Sequence, residues 1–576
     1  MDGVVRALRV RLQRFRGFVD LELFPAEHAV VVGEPRAGRT DLITALRRVL
    51  DPRSTNARPN LLDVHRPVPT PDAEDELTEV EVTLVELDDA VAQELDDRLE
   101  LIDPDTGLPA EEARADEAVM GLRLCYRLRV DQASETAEHW VEYPKSGLRA
   151  PRAERDLVAA IVLDRRAPLQ LRPDGMFRRL VSDADEPDLL AALAALNTNV
   201  ADAIDRLTGS TSIRKTIEEV LGAGAGQLLQ MTGTAPADDL GFAADDGSVS
   251  AILRTLQPTL ALDAAGALPL TAHGSTTAGV LAAAEAVVSA SEPGAIVLAD
   301  DFGDDLDAAS AEYLACLLRR KAGQVWLSTR RPDVVRAFTP EEMIRLTRSH
   351  GHRQVHQLAP TTDRKERSAR RQLHLLLLPA MTSRTVAVLE GAHDLDGYTA
   401  VADRRLRRSS VAPPAAAGVR MVAPANGDGG KDELPKLARL ASDLGFHVRV
   451  VLDNDKPGAD AALIAELTEV AEQVIQLPER TSVERALTHG IEPERLRAAL
   501  RQLVDDYDLT GIDVDVIDDK DLEAKIIKQL KAKGGLHQPF VEALPTGGQA
   551  PPLARKVLST LCKPVGAVNL VELKLP

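Results

Sequence analysis

Residues 385–394 read Thr385-Val386-Ala387-Val388-Leu389-Glu390-Gly391-Ala392-His393-Asp394. A β-branched, apolar run ends on a carboxylate, a glycine opens the turn, and a second carboxylate follows, which predicts a buried strand with Glu390 at its end and Asp394 beyond it. Further on, Val448-Arg449-Val450-Val451-Leu452 leads into Asp453-Asn454-Asp455 in the same manner. The carboxyl ends of parallel strands face the ligand crevice, so acids from two such ends converge on one place. Carboxylate oxygens there suit a hard divalent cation such as Mg²⁺ or Mn²⁺. The plainer alternative is that Glu390 only ends a strand and that Asp453 and Asp455 sit in a solvated turn before Pro457-Gly458.

The N-terminal half carries a second set of parts. Val4 to Leu23 alternates apolar and charged residues like a half-buried β ribbon, with Phe15-Arg16-Gly17-Phe18 at its turn. Ala29-Val30-Val31-Val32 then reads as a buried strand before Gly33-Glu34-Pro35-Arg36-Ala37-Gly38-Arg39-Thr40 and an amphipathic helix from Asp41 to Leu50. Strand, Gly-x-x-x-x-Gly-basic-Thr loop and helix are the parts of a P-loop, whose backbone N–H groups and helix N-terminus cradle phosphates. The basic residue is Arg39 where a P-loop has lysine, and a guanidinium forks around phosphates instead of meeting them as a point charge. A partner motif lies at Ala295-Ile296-Val297-Leu298-Ala299-Asp300-Asp301, an apolar strand ending in two acids, followed by a helical stretch from Ala308 to Lys321. The first acid would serve the Mg²⁺ shell and the second the attacking water. A further strand, Gln324 to Thr329, runs into Arg330-Arg331-Pro332-Asp333.

The chain has 576 residues with 44% hydrophobic content, enough for two to four domains. Its net charge of −21 excludes a protein that coats nucleic acid through a global field, so such contacts would need local patches or bound metal. Candidate patches are Arg364 to Arg371, Arg404 to Arg408, and Lys525, Lys528, Lys531 and Lys533, each of which reads equally as a solvated helix face. Three scattered cysteines argue against a disulfide framework or a zinc site. No signal peptide and no run long enough to span a bilayer is legible, so a cytoplasmic, membrane-free protein is expected.

The pair of segments at 385–394 and 448–455, with the glycines from Gly427 to Gly430 and the stretch Leu434 to Gly445 between them, resembles the Toprim fold of topoisomerases, bacterial primases and a class of nucleases. The whole order of parts (ribbon, P-loop, long insertion, two-acid strand, Ser328-Thr329 switch, then the Toprim-like acids) resembles the OLD family of ATP-dependent nucleases, which includes the Gabija antiphage nuclease. That resemblance implies an α/β multi-domain chain. An ABC/SMC-like P-loop ATPase with a helical dimerisation insertion would precede a Toprim domain with a parallel sheet. It implies ATP at Gly33, Gly38, Arg39, Thr40, Asp300, Asp301 and Arg330. It also implies two Mg²⁺ or Mn²⁺ ions at Glu390, Asp394, Asp453, Asp455 and Glu484, with DNA as substrate. Glu484, which also reads as an ordinary first-turn helix acid, lies in Ser482-Val483-Glu484. The family's C-terminal lysine falls near Lys533 or His537, and alignment by eye does not choose between them. His273-Gly274-Ser275-Thr276-Thr277 stands where a signature loop would be.

Three ATPase positions depart from the family together, namely Arg39 for lysine, Asp301 for glutamate and Arg330 for histidine, which predicts ATP binding with weak or absent hydrolysis. The expected ranges are 1–87 and 241–360 for the ATPase, 88–240 for a mainly helical insertion, 361–382 for a linker, 383–490 for the Toprim-like domain and 491–576 for its C-terminal extension. The expected partners are DNA, ATP, a second copy of the chain and a helicase. Two other readings stay open: the same acids acting on structured RNA such as tRNA, or a nucleotide-gated scaffold that assembles with a helicase or toxin. Concentrated, mutually repelling carboxylates weigh against the scaffold.

Overall fold

A computed structural model describes residues 5–163, 258–424 and 430–575 apart from short stretches within them, together with isolated residues between 168 and 211. Three sheets organise these residues. The first is antiparallel, with strand order β2-β1-β4-β6-β7-β8 and β5 paired to β6. Its strands are β1 (Arg6–Phe15), β2 (Phe18–Leu23), β4 (Glu76–Val85), β5 (Glu100–Ile102), β6 (Val119–Asp131), β7 (Thr136–Tyr143) and β8 (Leu148–Arg149). The β1–β2 hairpin turns at the Arg16-Gly17 pair expected from the sequence, with Phe15 opposite Phe18.

The second sheet has the order β15-β14-β3-β13-β12-β9. It consists of β3 (Ala29–Gly33), β9 (Ile161–Val162), β12 (Ile296–Ala299), β13 (Gln324–Ser328), β14 (Met343–Ser349) and β15 (His352–Gln357), all parallel except β15. Its central strands are buried on both faces, which is why they read as continuous apolar runs. A small hairpin, β10 (Thr259–Ala261) with β11 (Ala267–Pro269), stands apart.

The third sheet is wholly parallel, ordered β17-β16-β18-β19-β20. Its strands are β16 (Thr385–Val388), β17 (Val419–Val422), β18 (His447–Leu452), β19 (Gln473–Gln476) and β20 (Leu570–Glu572). The chain thus has an N-terminal α/β part with mixed sheets and a C-terminal parallel sheet.

Eight helices matter below: α1 (Arg39–Leu50), α2 (Ser275–Ser289), α3 (Ala308–Lys321), α4 (Arg364–Leu377), α5 (Ala392–Ser409), α6 (Leu434–Asp443), α7 (Val483–Thr488) and α8 (Asp519–Ala532). The stretch 361–382, expected as linker, is mostly α4, and its Leu373 and Leu377 are buried in the same apolar cluster as Val386 and Leu437 of the third sheet's unit.

Within the range 88–240, the residues from 100 to 162 carry strands β5 to β9; Leu122, Leu124, Tyr126, Leu128 and Val130 alternate along β6, which pairs with β4. The helical patterns at Glu186 to Leu207 and Ser212 to Met231 fall almost entirely outside the described residues. Among the described residues, no helix is long and apolar enough to cross a membrane.

Candidate acidic site and nucleotide loop

The two carboxylate motifs meet. β16 and β18 are adjacent and parallel, with Val388 beside Val450, so the residues that leave their carboxyl ends are neighbours. Glu390 Oε2 accepts from the Asp453 backbone N–H at 3.3 Å. The Asn454 N–H donates to the Thr481 carbonyl at 2.9 Å and thereby draws in the start of α7. Asp453 Oδ2 accepts from the Val483 N–H at 3.1 Å, which puts Glu484 on the same cluster. Asp394 Oδ2 accepts from the Gly391 N–H at 3.0 Å, so this acid caps the first turn of α5 as well as facing the others.

The electrostatics follow from crowding. Burial first, then the charges of Glu390 and Glu484, push the Asp394 carboxyl up to about 8. Asp453 is raised well above its ordinary range by burial and by Asp394, Glu390 and Glu484. Burial also raises Glu390, against the opposing pull of Lys431. Glu484 goes the other way: burial alone would raise it, but hydrogen bonds from His537 and Ser482 bring it down to about 2. Asp453 Oδ1 is buried with no hydrogen-bond partner. An orphaned buried carboxylate oxygen among hard oxygen donors is what a divalent ion would satisfy, so the residues present fit Mg²⁺ or Mn²⁺.

Two lysines lie against the cluster. Lys431 Nζ lies 2.8 Å from Asp460 Oδ2 and 3.5 Å from Glu390 Oε2. Lys531 Nζ lies 3.3 Å from Asp455 Oδ2 and 3.7 Å from Glu484 Oε2. The acids of the cluster do not form a group of three with ligand atoms within 4.8 Å of one another. Among the described residues, the one tight group of three ligand-type atoms, within 4.8 Å of one another, is elsewhere, at Glu27, His28 and Glu342. There Arg319 reaches both oxygens of Glu342 and the His28 Nδ1 accepts from the Val325 N–H, so that group is already satisfied by protein.

The sequence did not single out Lys431 or Asp460, and it named Lys531 only within a basic patch. Lys533 lies outside the described residues. His537 is fully buried, stacked on His393 with ring centroids 4.6 Å apart, and its Nε2 meets Glu484 Oε1 at 3.3 Å. It therefore positions Glu484 and does not face a substrate. Among the described residues, Lys531 is the C-terminal lysine that reaches the acids. Within the patch Arg404 to Arg408, Arg404 is buried and donates to the Val541, Leu544 and Pro545 carbonyls, a structural bond and not a free cation.

The loop of residues 33–40 joins β3 to α1, as its sequence suggests. Gly33 has φ of 145°, and a Cβ there would lie 2.1 Å from the Leu346 carbonyl oxygen, so only glycine fits. Gly38, with φ of 104°, sets the N-terminus of α1. β3, β13 and β12 lie side by side, which brings Thr40, Ser328 and Asp300 to one end of the sheet. The Thr40 hydroxyl donates to Asp300 at 3.2 Å, and the Ser328 hydroxyl bonds the same carboxylate. The N–H of Asp301, which has a left-handed conformation with φ of 47°, donates to the Ser328 Oγ at 2.8 Å.

The three departures act together here. Arg39 Nη1 folds back onto the Gly33 carbonyl at 2.6 Å, while its Nε is buried without a partner. Arg330 pairs with Asp304 and stands 4.0 Å from Asp301. Burial, then repulsion from Asp300 and Asp304, raises the Asp301 carboxyl. The loop at His273 to Thr277 places Ser275 as the first residue of α2, exposed, after Gly274.

No protein-family model matches the chain, and no curated protein matches it significantly. Among solved structures, the chain is similar to an Smc head bound to the C-winged helix domain of ScpA, at 15% identity over 61% of this chain and 98% of that one, with a TM-score of 0.32. An Smc head domain with a coiled coil and joint from Pyrococcus yayanosii gives 13% identity, 62% and 98% coverage, and 0.33. The SMC head domain from Thermotoga maritima gives 9%, 62% and 100%, and 0.26. Scores of this size carry no weight, and the nucleotide loop rests on its own strand order, glycines and side-chain contacts.

Proposed function

We propose that the chain is a divalent-metal-dependent nuclease of Toprim type, acting on DNA, whose N-terminal unit binds ATP as a sensor. What carries the reading is the buried, partnerless Asp453 Oδ1, which follows the carboxyl end of a strand adjacent and parallel to the one that Glu390 follows, with Asp394 and Glu484 near it and the more exposed Asp455 joined to Glu484 through Lys531. Glu390, Asp453 and Asp455 would hold metal, with Glu484 and Asp394 behind them. When bound, such ions supply a hydroxide from water and stabilise the leaving oxygen of a phosphodiester. The chain's own residues do the rest. The Val483 N–H fixes one oxygen of Asp453, His537 and Ser482 fix Glu484, and Lys531 offers positive charge beside Asp455.

Thr40 and Asp300 would supply metal and phosphate contacts for ATP, and Arg39 would reach the phosphates on leaving the Gly33 carbonyl, whereas Arg330 and Asp304 tie up the neighbourhood of Asp301, where an attacking water would be placed. Binding without rapid turnover suits a sensor. The test is incubation of the full chain with supercoiled plasmid and with tRNA, each with Mn²⁺ and with chelator, using Asp453→Asn as control. Mn²⁺-dependent plasmid cutting that the control loses is expected. Cutting of tRNA alone would move the substrate to RNA, and no cutting of either would leave a nucleotide-gated scaffold.

A further inference from the structure

Lys431 occupies an unusual position, because its ammonium has two carboxylates from different loops and is not equidistant from them. Asp460 Oδ2 is hydrogen-bonded at 2.8 Å, whereas Glu390 Oε2 is an ion pair at 3.5 Å. Glu390 belongs to the acidic cluster through its bond to the Asp453 N–H; Asp460 lies just before the helix Ala461–Val470. The arrangement is half-buried, with side-chain exposures of 30%, 16% and 18% for Lys431, Glu390 and Asp460.

We propose, resting on the reading of the acids as a metal site, that Lys431 is a resident counter-ion exchanged against a divalent ion at Glu390, and that Asp460 is the seat that keeps the displaced ammonium beside the site. Electrostatics favours the exchange. An ammonium and a divalent ion held against the same carboxylate oxygen repel each other, so an ion bound at Glu390 drives Lys431 away from it. The geometry makes the exchange cheap, since the contact to be broken is the longer one and the hydrogen bond to Asp460 survives. A lysine stem with four methylenes permits the small swing without backbone motion. Held by Asp460, the ammonium keeps donors free for a phosphate oxygen of a bound nucleic-acid backbone, which makes Lys431 a positioning residue for substrate as well as a gate for metal.

The exchange is separable from a mere through-space effect by a double-mutant cycle on the full chain, read as Mn²⁺ affinity from the free-ion electron paramagnetic resonance signal. Lys431→Met is expected to tighten Mn²⁺ binding by about tenfold, and Asp460→Asn to weaken it by about tenfold because Lys431 then rests wholly on Glu390. In the Lys431→Met background, Asp460→Asn is expected to keep only about a twofold effect, since its action runs through the lysine. Additive changes, or a Lys431→Met protein that binds Mn²⁺ no more tightly than wild type, overturn the exchange. Thermal unfolding in chelator identifies a variant that has failed to fold, and Lys431→Gln then takes the place of Lys431→Met in the cycle. Binding of Mn²⁺ with this non-additivity but without nucleic-acid cutting would sink the nuclease reading and leave the exchange standing; cutting with additive changes would do the reverse.

Discussion

Arg345 links the two halves of the chain, and its removal has a calculable cost. It sits on β14, opposite Val32 of the P-loop strand, and is completely buried. Among the described residues no carboxylate forms a salt bridge with it, Glu34 acting only through space. Its Nη1 donates to the Leu444 carbonyl at 2.8 Å, its Nη2 to the Ser383 carbonyl at 2.7 Å and its Nε to the Met381 carbonyl at 3.4 Å, while the guanidinium carbon stands 3.5 Å from the centre of the Phe446 ring. Burial pushes the guanidinium down to about 9, so the cation stays charged at neutral pH but at a cost. In Arg345→Met the stem is retained and two well-made bonds are lost, leaving two buried carbonyls unpaired at about 1–3 kcal/mol each. The cation–π contact adds about 1–2 kcal/mol of loss. Relief of the buried charge, which costs several kcal/mol for an ion taken out of water, works in the opposite direction and offsets much of that loss. The net expectation is a loss of about 2–4 kcal/mol, and about 3–5 kcal/mol for Arg345→Ala, where a cavity is added. Urea unfolding followed by the fluorescence of buried Trp326, two strands from Arg345, reads it as a lower midpoint at unchanged slope. A Met variant within about 0.5 kcal/mol of wild type would mean that the inter-unit bond is ornamental.

Asp453→Asn should abolish Mn²⁺-dependent plasmid cutting while leaving metal-free stability equal or higher, since a repelling carboxylate is removed; cutting at the wild-type rate would take Asp453 out of the site. Metal-free protein should lose stability as pH rises from about 4 to about 8, because Asp394 and Asp453 hold protons in the folded state that the unfolded chain has already released. Thermal midpoints in chelator across that range check this, and a midpoint that climbs towards pH 8 would contradict it. Glu484 acts with the opposite sign, contributing stability above about 4 that disappears as pH falls towards about 2. ATP should bind with steady-state turnover below about 1 s⁻¹; faster hydrolysis, with little change in an Arg39→Lys/Asp301→Glu protein, would show that Arg330 and Asp301 do not obstruct the water.

Legibility in the sequence tracked how local each determinant was. β3, β12, β13, β16 and β18 were readable because both faces are buried and their residues are β-branched. The acids that follow them were readable because the ends of parallel strands have a defined side. β6 was not singled out, although its apolar residues repeat with period two; the helical patterns at Glu186 to Leu207 and Ser212 to Met231 set the reading of the whole stretch and the alternation at 119–131 was passed over. Lys431 and Asp460 were invisible because they meet only through the packing of separate loops. His537 looked like a free basic residue because nothing nearby in sequence announces the burial that turns it onto Glu484.

The same distinction bears on where the C-terminal unit can be cut free. A boundary at Ser383 looks natural in sequence, since β16 starts at Thr385. Yet Leu373, Leu377, Leu378 and Met381 lie before it and are buried in one continuous apolar cluster with Val386, Leu437 and Leu444. At about 1.5–3 kcal/mol per buried side chain, deleting those four forfeits about 6–12 kcal/mol, as much as the whole margin of a typical domain. A fragment of residues 383–576 is therefore expected to be unfolded or insoluble. A fragment of 361–576 keeps α4 against α6 and should unfold cooperatively and bind Mn²⁺, though without any response to ATP. Circular dichroism melts of the two fragments decide it. Equal midpoints would show that α4 belongs to the nucleotide unit and that the shared core is divided elsewhere.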